Sequence, residues 1–258
     1  MNGAAIAQLC PAALALATDI EVVAETGSTN ADLLARAAQL SRNTVLIAER
    51  QNAGRGRAGR SWLSAEGGSL TFSLAWKFSC PLHALAGLPL AVGVALAETL
   101  GALDVKVRLK WPNDLLKDGA KLAGVLIETQ SGANGAVWAV IGIGLNLTLP
   151  DELEAKLASP AASAPWLAAM DRNALVALLL TGLAASLEQF GQHGFKYFCA
   201  RWNRLHAYQG NVVQIIDRGV VIDEGIAAGV DDSGALLLDR AAGRIAIVAG
   251  DVSLRARE

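Results

Sequence analysis

From about Ala207 onward the chain is written in short β-rich runs with turn residues between them, and this limits the folds open to it. Val212–Ile216, Val220–Ile222, Ile226–Val230, Ala235–Leu238 and Ile245–Val248 are separated by Asp217-Arg218-Gly219, Asp231-Asp232-Ser233-Gly234 and Ala241-Ala242-Gly243. Runs of this length suit strands, and turns of this kind fold successive strands back on one another. Residues 207–258 are therefore expected to form a small β barrel.

Upstream the pattern is mixed. Thr29-Asn30-Ala31-Asp32 has the form of a capping box, and Leu33, Leu34, Ala37 and Ala38 follow on one helical face. Thr44–Glu49 reads as a buried strand. Leu70, Phe72, Leu74 and Trp76 alternate with Thr71, Ser73 and Ala75, the period of a strand. Leu85–Leu100 reads as a helix, and Val107–Lys110 as a strand broken by Trp111-Pro112-Asn113-Asp114. Asp118-Gly119 is a hairpin turn leading into strands Leu122–Thr129 and Ala136–Leu147. Helices around Asn173–Phe190 and Phe195–Leu205 complete residues 1–206. The expected class is α/β (α+β), a mixed sheet with flanking helices followed by the barrel.

With 53% hydrophobic and 18% charged residues the chain can bury a large core. Its net charge of −2 gives no electrostatic case for coating DNA or a membrane. Cys10, Cys80 and Cys199 are scattered, which suggests neither a zinc site nor a disulfide framework. The apolar N-terminus meets no lysine or arginine before Arg36, so it lacks the basic start of a signal peptide. Ala174–Leu187 reads as too short, and too interrupted by Thr181, Gly182 and Ser186, to span a bilayer. A cytoplasmic location is expected.

Against this background, four arginines and three glycines fall within Arg50–Arg60 with no acid among them. Glycine lets backbone approach a ligand closely, and arginine offers a planar charged fork to phosphate or carboxylate. The loop suits a small anion, although an RNA-binding segment or a solvated loop would share its composition. Three other segments pair turn geometry with polar side chains. Gly27-Ser28-Thr29-Asn30 opens a helix and could be an ordinary cap or an anion site. Lys110-Trp111-Pro112-Asn113-Asp114 with Lys121-Leu122-Ala123-Gly124 could be a surface turn or could aim Lys121 inward. Ile141-Gly142-Ile143-Gly144-Leu145-Asn146 lacks the third glycine of a dinucleotide fingerprint. His83, His193 and His206 show neither metal spacing nor a triad partner.

In this order, these segments closely resemble the biotin–protein ligase family. The matching words include Gly27-Ser28-Thr29-Asn30, Glu49-Arg50-Gln51, Gly54-Arg55-Gly56-Arg57-Ala58-Gly59-Arg60-Ser61-Trp62 and Lys110-Trp111-Pro112-Asn113-Asp114. Lys121-Leu122-Ala123-Gly124, Gly142-Ile143-Gly144-Leu145-Asn146 and Ser253-Leu254-Arg255 follow. The resemblance implies a catalytic domain like class II synthetases over 1–206 and an SH3-like barrel over 207–258. It also implies an enzyme that makes biotinyl-5′-AMP from biotin and ATP with Mg²⁺, then passes biotin to a lysine of a biotin carboxyl carrier protein.

The same resemblance supplies roles. Ser28, Thr29, Asn30 and Gln51 are expected on biotin's ureido head, with Gly124 in the same pocket. Gly54, Arg55 and Arg57 are expected on its carboxylate and on the adenylate phosphate. Lys121 is expected on the carboxylate and α-phosphate. Arg60, Trp62, Asn113 and Asn146 fall to the nucleotide, Arg255 to the terminal phosphates, and Asp114 to the acceptor amine. No protein-borne metal site is implied, because magnesium would ride mainly on substrate phosphates. Fewer than thirty residues precede Gly27-Ser28-Thr29-Asn30, so the helix-turn-helix module of repressor relatives, and with it DNA binding, is not expected. Ile245–Val248 has only aliphatic residues where some relatives place an aromatic near adenine. Monomer and homodimer both remain open, with Ala136–Leu147 a conceivable pairing edge. The rival readings are a lipoate–protein ligase and a non-catalytic biotin sensor. Lipoate would not need the ureido-binding set, and a sensor would not need Lys121.

Overall fold

The computed structural model describes residues 1–132, 136–155, 160–217, 219–248 and 252–256. Two short helices, α1 (Gly3–Leu9) and α2 (Ala12–Ala17), lead into β1 (Thr18–Thr26), α3 (Thr29–Arg36) and β2 (Asn43–Gln51). Then come β3 (Ser69–Phe78), α4 (Leu88–Gly101), β4 (Arg108–Lys110), β5 (Asp114–Lys117), β6 (Ala120–Ser131) and β7 (Val137–Asn146). Two helical turns, α5 (Asp151–Glu154) and α6 (Pro165–Ala168), precede the long helices α7 (Arg172–His193) and α8 (Lys196–Leu205). The strands form one seven-stranded sheet in the order β1-β2-β3-β7-β6-β5-β4, parallel only between β1 and β2.

Helices cover both faces of this sheet. Phe72, Leu74, Ile141 and Ile143 share a core with α4 and α7, while Ala75, Trp138 and Val140 pack with Leu33 and Ala37 on the α3 side. The alternation along β3 therefore separates two buried faces rather than core from solvent. Thr71 and Ser73, the polar members of that alternation, are almost wholly buried. The expected helix from Leu85 starts later, because Gly87 takes φ +77° and Pro89 occupies the first turn of α4. The helix cap also moves by one residue. Ser28 accepts from the Ala31 N–H, so Thr29 lies inside the helix and its hydroxyl serves the sheet instead. Asp118 and Gly119 have φ of 52° and 81°, the signature of a two-residue hairpin turn.

Two further expectations are corrected. Ala136–Leu147 cannot offer a pairing edge, because β7 is hydrogen-bonded to β3 on one side and β6 on the other. Helix α7 is longer than the apolar run within it, and both it and 82–101 have the length and hydropathy of a membrane span. The two helices pack against each other in the core. Gly182 allows that approach, since a Cβ there would overlap the Thr99 hydroxyl, and Thr181 donates back to the Ala177 carbonyl.

The C-terminal strands are β8 (Val212–Asp217), β9 (Val220–Val230), β10 (Leu236–Arg240), β11 (Gly243–Ile247) and β12 (Val252–Ala256). They form an antiparallel sheet ordered β11-β10-β9-β8-β12. The runs Val220–Ile222 and Ile226–Val230 are one strand, not two. Gly225 does not turn the chain but lets β9 pass the Asp239 carbonyl, which would lie 2.8 Å from a Cβ. The fifth strand is instead Val252–Ala256, with Ser253-Leu254-Arg255 inside it. Of the Asp217-Arg218-Gly219 turn, Arg218 lies outside the described residues.

The C-terminal sheet and the larger domain share one continuous apolar core, into which Val213, Ile215, Ala227, Leu236 and Leu254 are packed. Polar ties fix the seam. Trp111 Nε1 donates to the Gly234 carbonyl at 3.1 Å. On α8, Asn203 accepts from the Val230 N–H at 2.8 Å and donates to its carbonyl at 3.1 Å, supplying the pairing a neighbouring strand would. Asn203→Ala leaves the Val230 N–H without its side-chain acceptor and its carbonyl with only the weak Cys199 thiol donor, and should cost about 2 kcal/mol. Denaturant unfolding reads this directly, and an unchanged midpoint would show that the seam does not depend on Asn203.

Candidate active site

The arginine loop folds back on itself beside the central strands. Trp62 N–H donates to the Gly54 carbonyl at 2.9 Å, and Gly56 N–H to that of Arg60 at 2.6 Å. Its tip turns through Ala58 and Gly59, both with positive φ. This brings Trp62 over the sheet, where Gly124 and Gly144 are direct partners across β6 and β7. A Cβ on Gly144 would overlap the indole, and one on Gly124 would lie 3.5 Å from it. The paired glycines make a flat floor, and Trp62 lies on it.

Between the loop, the start of α3 and this floor lies a cavity of about 120 Å³. Ser28, Thr29, Asn30, Gln51, Arg55, Arg57, Arg60, Trp62, Asn113, Lys121 and Gly124 all line it. It adjoins a broad cleft of about 1140 Å³ walled by residues 50–64, Asn113 and Val125–Glu128, with Gly54 on that wall. Segments distant in sequence thus meet at one place. The sheet order explains why, since β2, β3, β7 and β6 are consecutive neighbours and deliver their polar residues to one end.

The polar groups are oriented. Gln51 Oε1 accepts from the Thr29 N–H at 2.8 Å and from the Thr29 hydroxyl at 3.1 Å, which leaves its Nε2 as a donor. Thr29 Oγ1 and Ser73 Oγ are 2.7 Å apart. Asn30 donates to Glu128 at 2.6 Å while its Oδ1 is buried without a partner, as is Trp62 Nε1. Arg57 Nη1 donates to Asn113 Oδ1 at 3.1 Å, and Asn113 donates to the Val125 carbonyl at 2.7 Å. Lys121 Nζ lies 2.6 Å from Asp114 Oδ1 and 5.6 Å from the Trp62 ring centre. Burial pushes the Lys110 ammonium below its usual pKa. Asp114 opposes the shift, and Arg255, Lys121 and Arg60 add to it.

Three residues expected at the site line neither the cavity nor the cleft. Asp114 touches it only through Lys121. Asn146 is buried beneath it, donating to the carbonyls of Lys121 (3.4 Å) and Ala162 (3.2 Å), so its amide braces the Lys121 backbone. Arg255 is exposed on β12, within electrostatic range of Lys110 and Tyr208. The sequence pointed to neither Ser73 nor Glu128, and it placed Lys110 and Gly142 in candidate segments without a role of their own. A serine on a strand between Phe72 and Leu74 was the available signal for Ser73, once both sheet faces are known to be covered.

The chain's residues 21–146 match the biotin/lipoate A/B protein ligase family model, and residues 210–255 match the biotin protein ligase C-terminal domain model. It is 36% identical to the bifunctional ligase/repressor BirA of Escherichia coli over 93% of this chain and 75% of that protein. The chain belongs to the biotin protein ligase family. A biotin–[acetyl-CoA-carboxylase] ligase of Mycobacterium tuberculosis is 37% identical to this ligase over 90% of this chain and 88% of its own length. The solved biotin protein ligase of Aquifex aeolicus in complex with biotin and ATP superposes with a TM-score of 0.77 at 29% identity, covering 93% of this chain and 99% of its own. The mixed sheet with a following small β domain is thus the family's architecture.

Proposed function

We propose that this ligase activates biotin with ATP to biotinyl-5′-AMP and transfers it to a lysine on the biotin carrier of a carboxylase. The observation that carries this reading is one cavity lined both by oriented amide and hydroxyl groups and by Arg55, Arg57 and Lys121. Biotin is a cyclic urea with a carboxylate tail, and it needs both kinds of group. In the first step a carboxylate oxygen attacks the α-phosphorus of ATP and pyrophosphate leaves. In the second, the lysine amine attacks the acyl carbonyl and AMP leaves. Both steps gather negative charge, so fixed cations and alignment are the main resources the protein can supply.

In this reading Ser28, Thr29, Asn30 and Gln51 hold the urea against Gly124. Gly54, Arg55 and Arg57 hold the carboxylate and then the adenylate phosphate, and Lys121 bridges carboxylate and α-phosphate. Arg60, Trp62, Asn113 and Asn146 serve the nucleotide, with Asn146 acting through the Lys121 backbone. Arg255 serves the terminal phosphates and Asp114 orients the acceptor amine or Lys121. Magnesium would arrive on the ATP phosphates, where it offsets their charge. Asp114 and Glu128 lie at the site and are engaged with Lys121 and Asn30. We place the division between a catalytic domain and the C-terminal module near residue 206, and the location in the cytoplasm without DNA or membrane partners.

Pyrophosphate release from ATP tests the reading, with biotin and lipoate supplied in parallel. Release with biotin and not with lipoate is expected, and the reverse would move the chain to the lipoate branch. An acyl-adenylate also needs shelter from water until the acceptor arrives. The loop from Gly54 to Ser64 is therefore expected to gain hydrogen-exchange protection when biotinyl-AMP is bound. Equal protection with and without it would remove the loop from that role.

A further inference from the structure

We infer that Glu128 is a positioning residue that sets which atom of Asn30 faces the ligand, and thereby helps select a cyclic urea. The inference rests on the biotin reading above and adds a residue to it. An asparagine amide has one accepting and one donating end, and nothing intrinsic decides which end points where. Here the decision is made from outside the cavity. Glu128, on the cleft wall, has a carboxylate that can only accept, and Asn30 Nδ2 donates to it at 2.6 Å. The opposite end of the amide, Oδ1, is therefore turned toward Gly142, which lines the cavity together with Asn30.

That oxygen has no partner, and Asn30 is only 3% exposed. A buried acceptor without a donor is costly. Gly142 permits the arrangement, because a Cβ there would lie 2.6 Å from Oδ1. A urea N–H entering the cavity would meet this cost by donating to Oδ1. Gln51, fixed by Thr29, presents its Nε2 donor on the neighbouring wall, the partner a urea carbonyl requires. Asn30 and Gln51 are thus held as an acceptor and a donor, the pattern of a cyclic urea and not of an apolar or sulfur-containing ring.

The test compares Glu128→Met, which keeps bulk but cannot accept, with Glu128→Gln, whose amide oxygen can rotate to accept from Asn30. The parameters read are the biotin dissociation constant by calorimetry, and KM and kcat in adenylate formation. Glu128→Met should raise the biotin Kd and KM by roughly ten-fold, the loss of about one hydrogen bond. Its kcat at saturating biotin and its melting temperature should hold, and Glu128→Gln should restore most of the affinity. Because Glu128 acts through Asn30, the double variant Asn30→Ala/Glu128→Met should bind no worse than Asn30→Ala alone. Additive losses would overturn the inference, as would unchanged affinity in Glu128→Met or a fall in kcat alone. If Glu128→Met does not fold, a Glu128→Gln variant that binds biotin as weakly as Asn30→Ala overturns it too. A wild-type protein that does not bind biotin would instead overturn the parent reading.

Discussion

Lys121→Ala is expected to lower biotinyl-AMP formation by about 10²–10³-fold while changing biotin affinity little, the pattern for loss of a group that stabilises charge mainly in the transition state. The ammonium stands at the crossing of three constraints. It is paired with Asp114 at 2.6 Å, lies over the Trp62 ring at 5.6 Å and lines the cavity. Removing it withdraws positive charge from the place where the carboxylate meets the α-phosphate, and it leaves the Asp114 carboxylate repelling both. Part of the loss could therefore come from Asp114 rather than from the missing contact. Lys121→Ala/Asp114→Asn separates the two, since it relieves the repulsion without restoring the cation. Rapid-quench measurement of acyl-AMP should find this double variant still at least tenfold below wild type. Full recovery would reassign Lys121 to neutralising Asp114.

Gly144→Ala should reduce adenylate formation by about 10²-fold, the scale set by misplacing reacting groups by around an ångström. One methyl group is enough because of where it would stand. Strand β7 is hydrogen-bonded along both edges and cannot withdraw, so the Trp62 indole must leave the floor. The indole belongs to the loop that carries Arg55, Arg57 and Arg60, and displacing it moves those cations away from Lys121. The melting temperature should change little, since the loop yields and the core does not. An active Gly144→Ala enzyme would show that the indole's seat is not required for alignment. A large fall in stability would locate the strain in the sheet instead.

How far the sequence could be read depended on what each residue answers to. Strands and helices followed from local periodicity, and the hairpin turn at Asp118-Gly119 from its own φ preference. Most expected lining residues meet in one cavity because they sit at a helix start, near strand ends or in the loop after β2, where neighbouring elements converge. What escaped was set by distant neighbours. Nothing near Ser73 says that α3 covers the outer face of β3. Nothing near Gly225 says that the Asp239 carbonyl passes beside it, so a glycine inside a strand read as a break. Glu128 stood in an ordinary strand pattern, and its meaning comes from Asn30, 98 residues earlier. Asn146 was legible as a polar residue at a strand end, but the direction of its amide, toward Lys121 and Ala162, was not.

The bond from Trp111 to Gly234 has a practical corollary. Trp111 is wholly buried and begins the turn that presents Asn113 and Asp114, so the far side of the reaction chamber is anchored in the last fifty or so residues. Cutting the chain after residue 206 would strip the cover from a large aromatic and unfasten the turn that holds Arg57 through Asn113. The C-terminal module is thus a buttress of the catalytic apparatus, and a shortened enzyme would fail before it met any carrier.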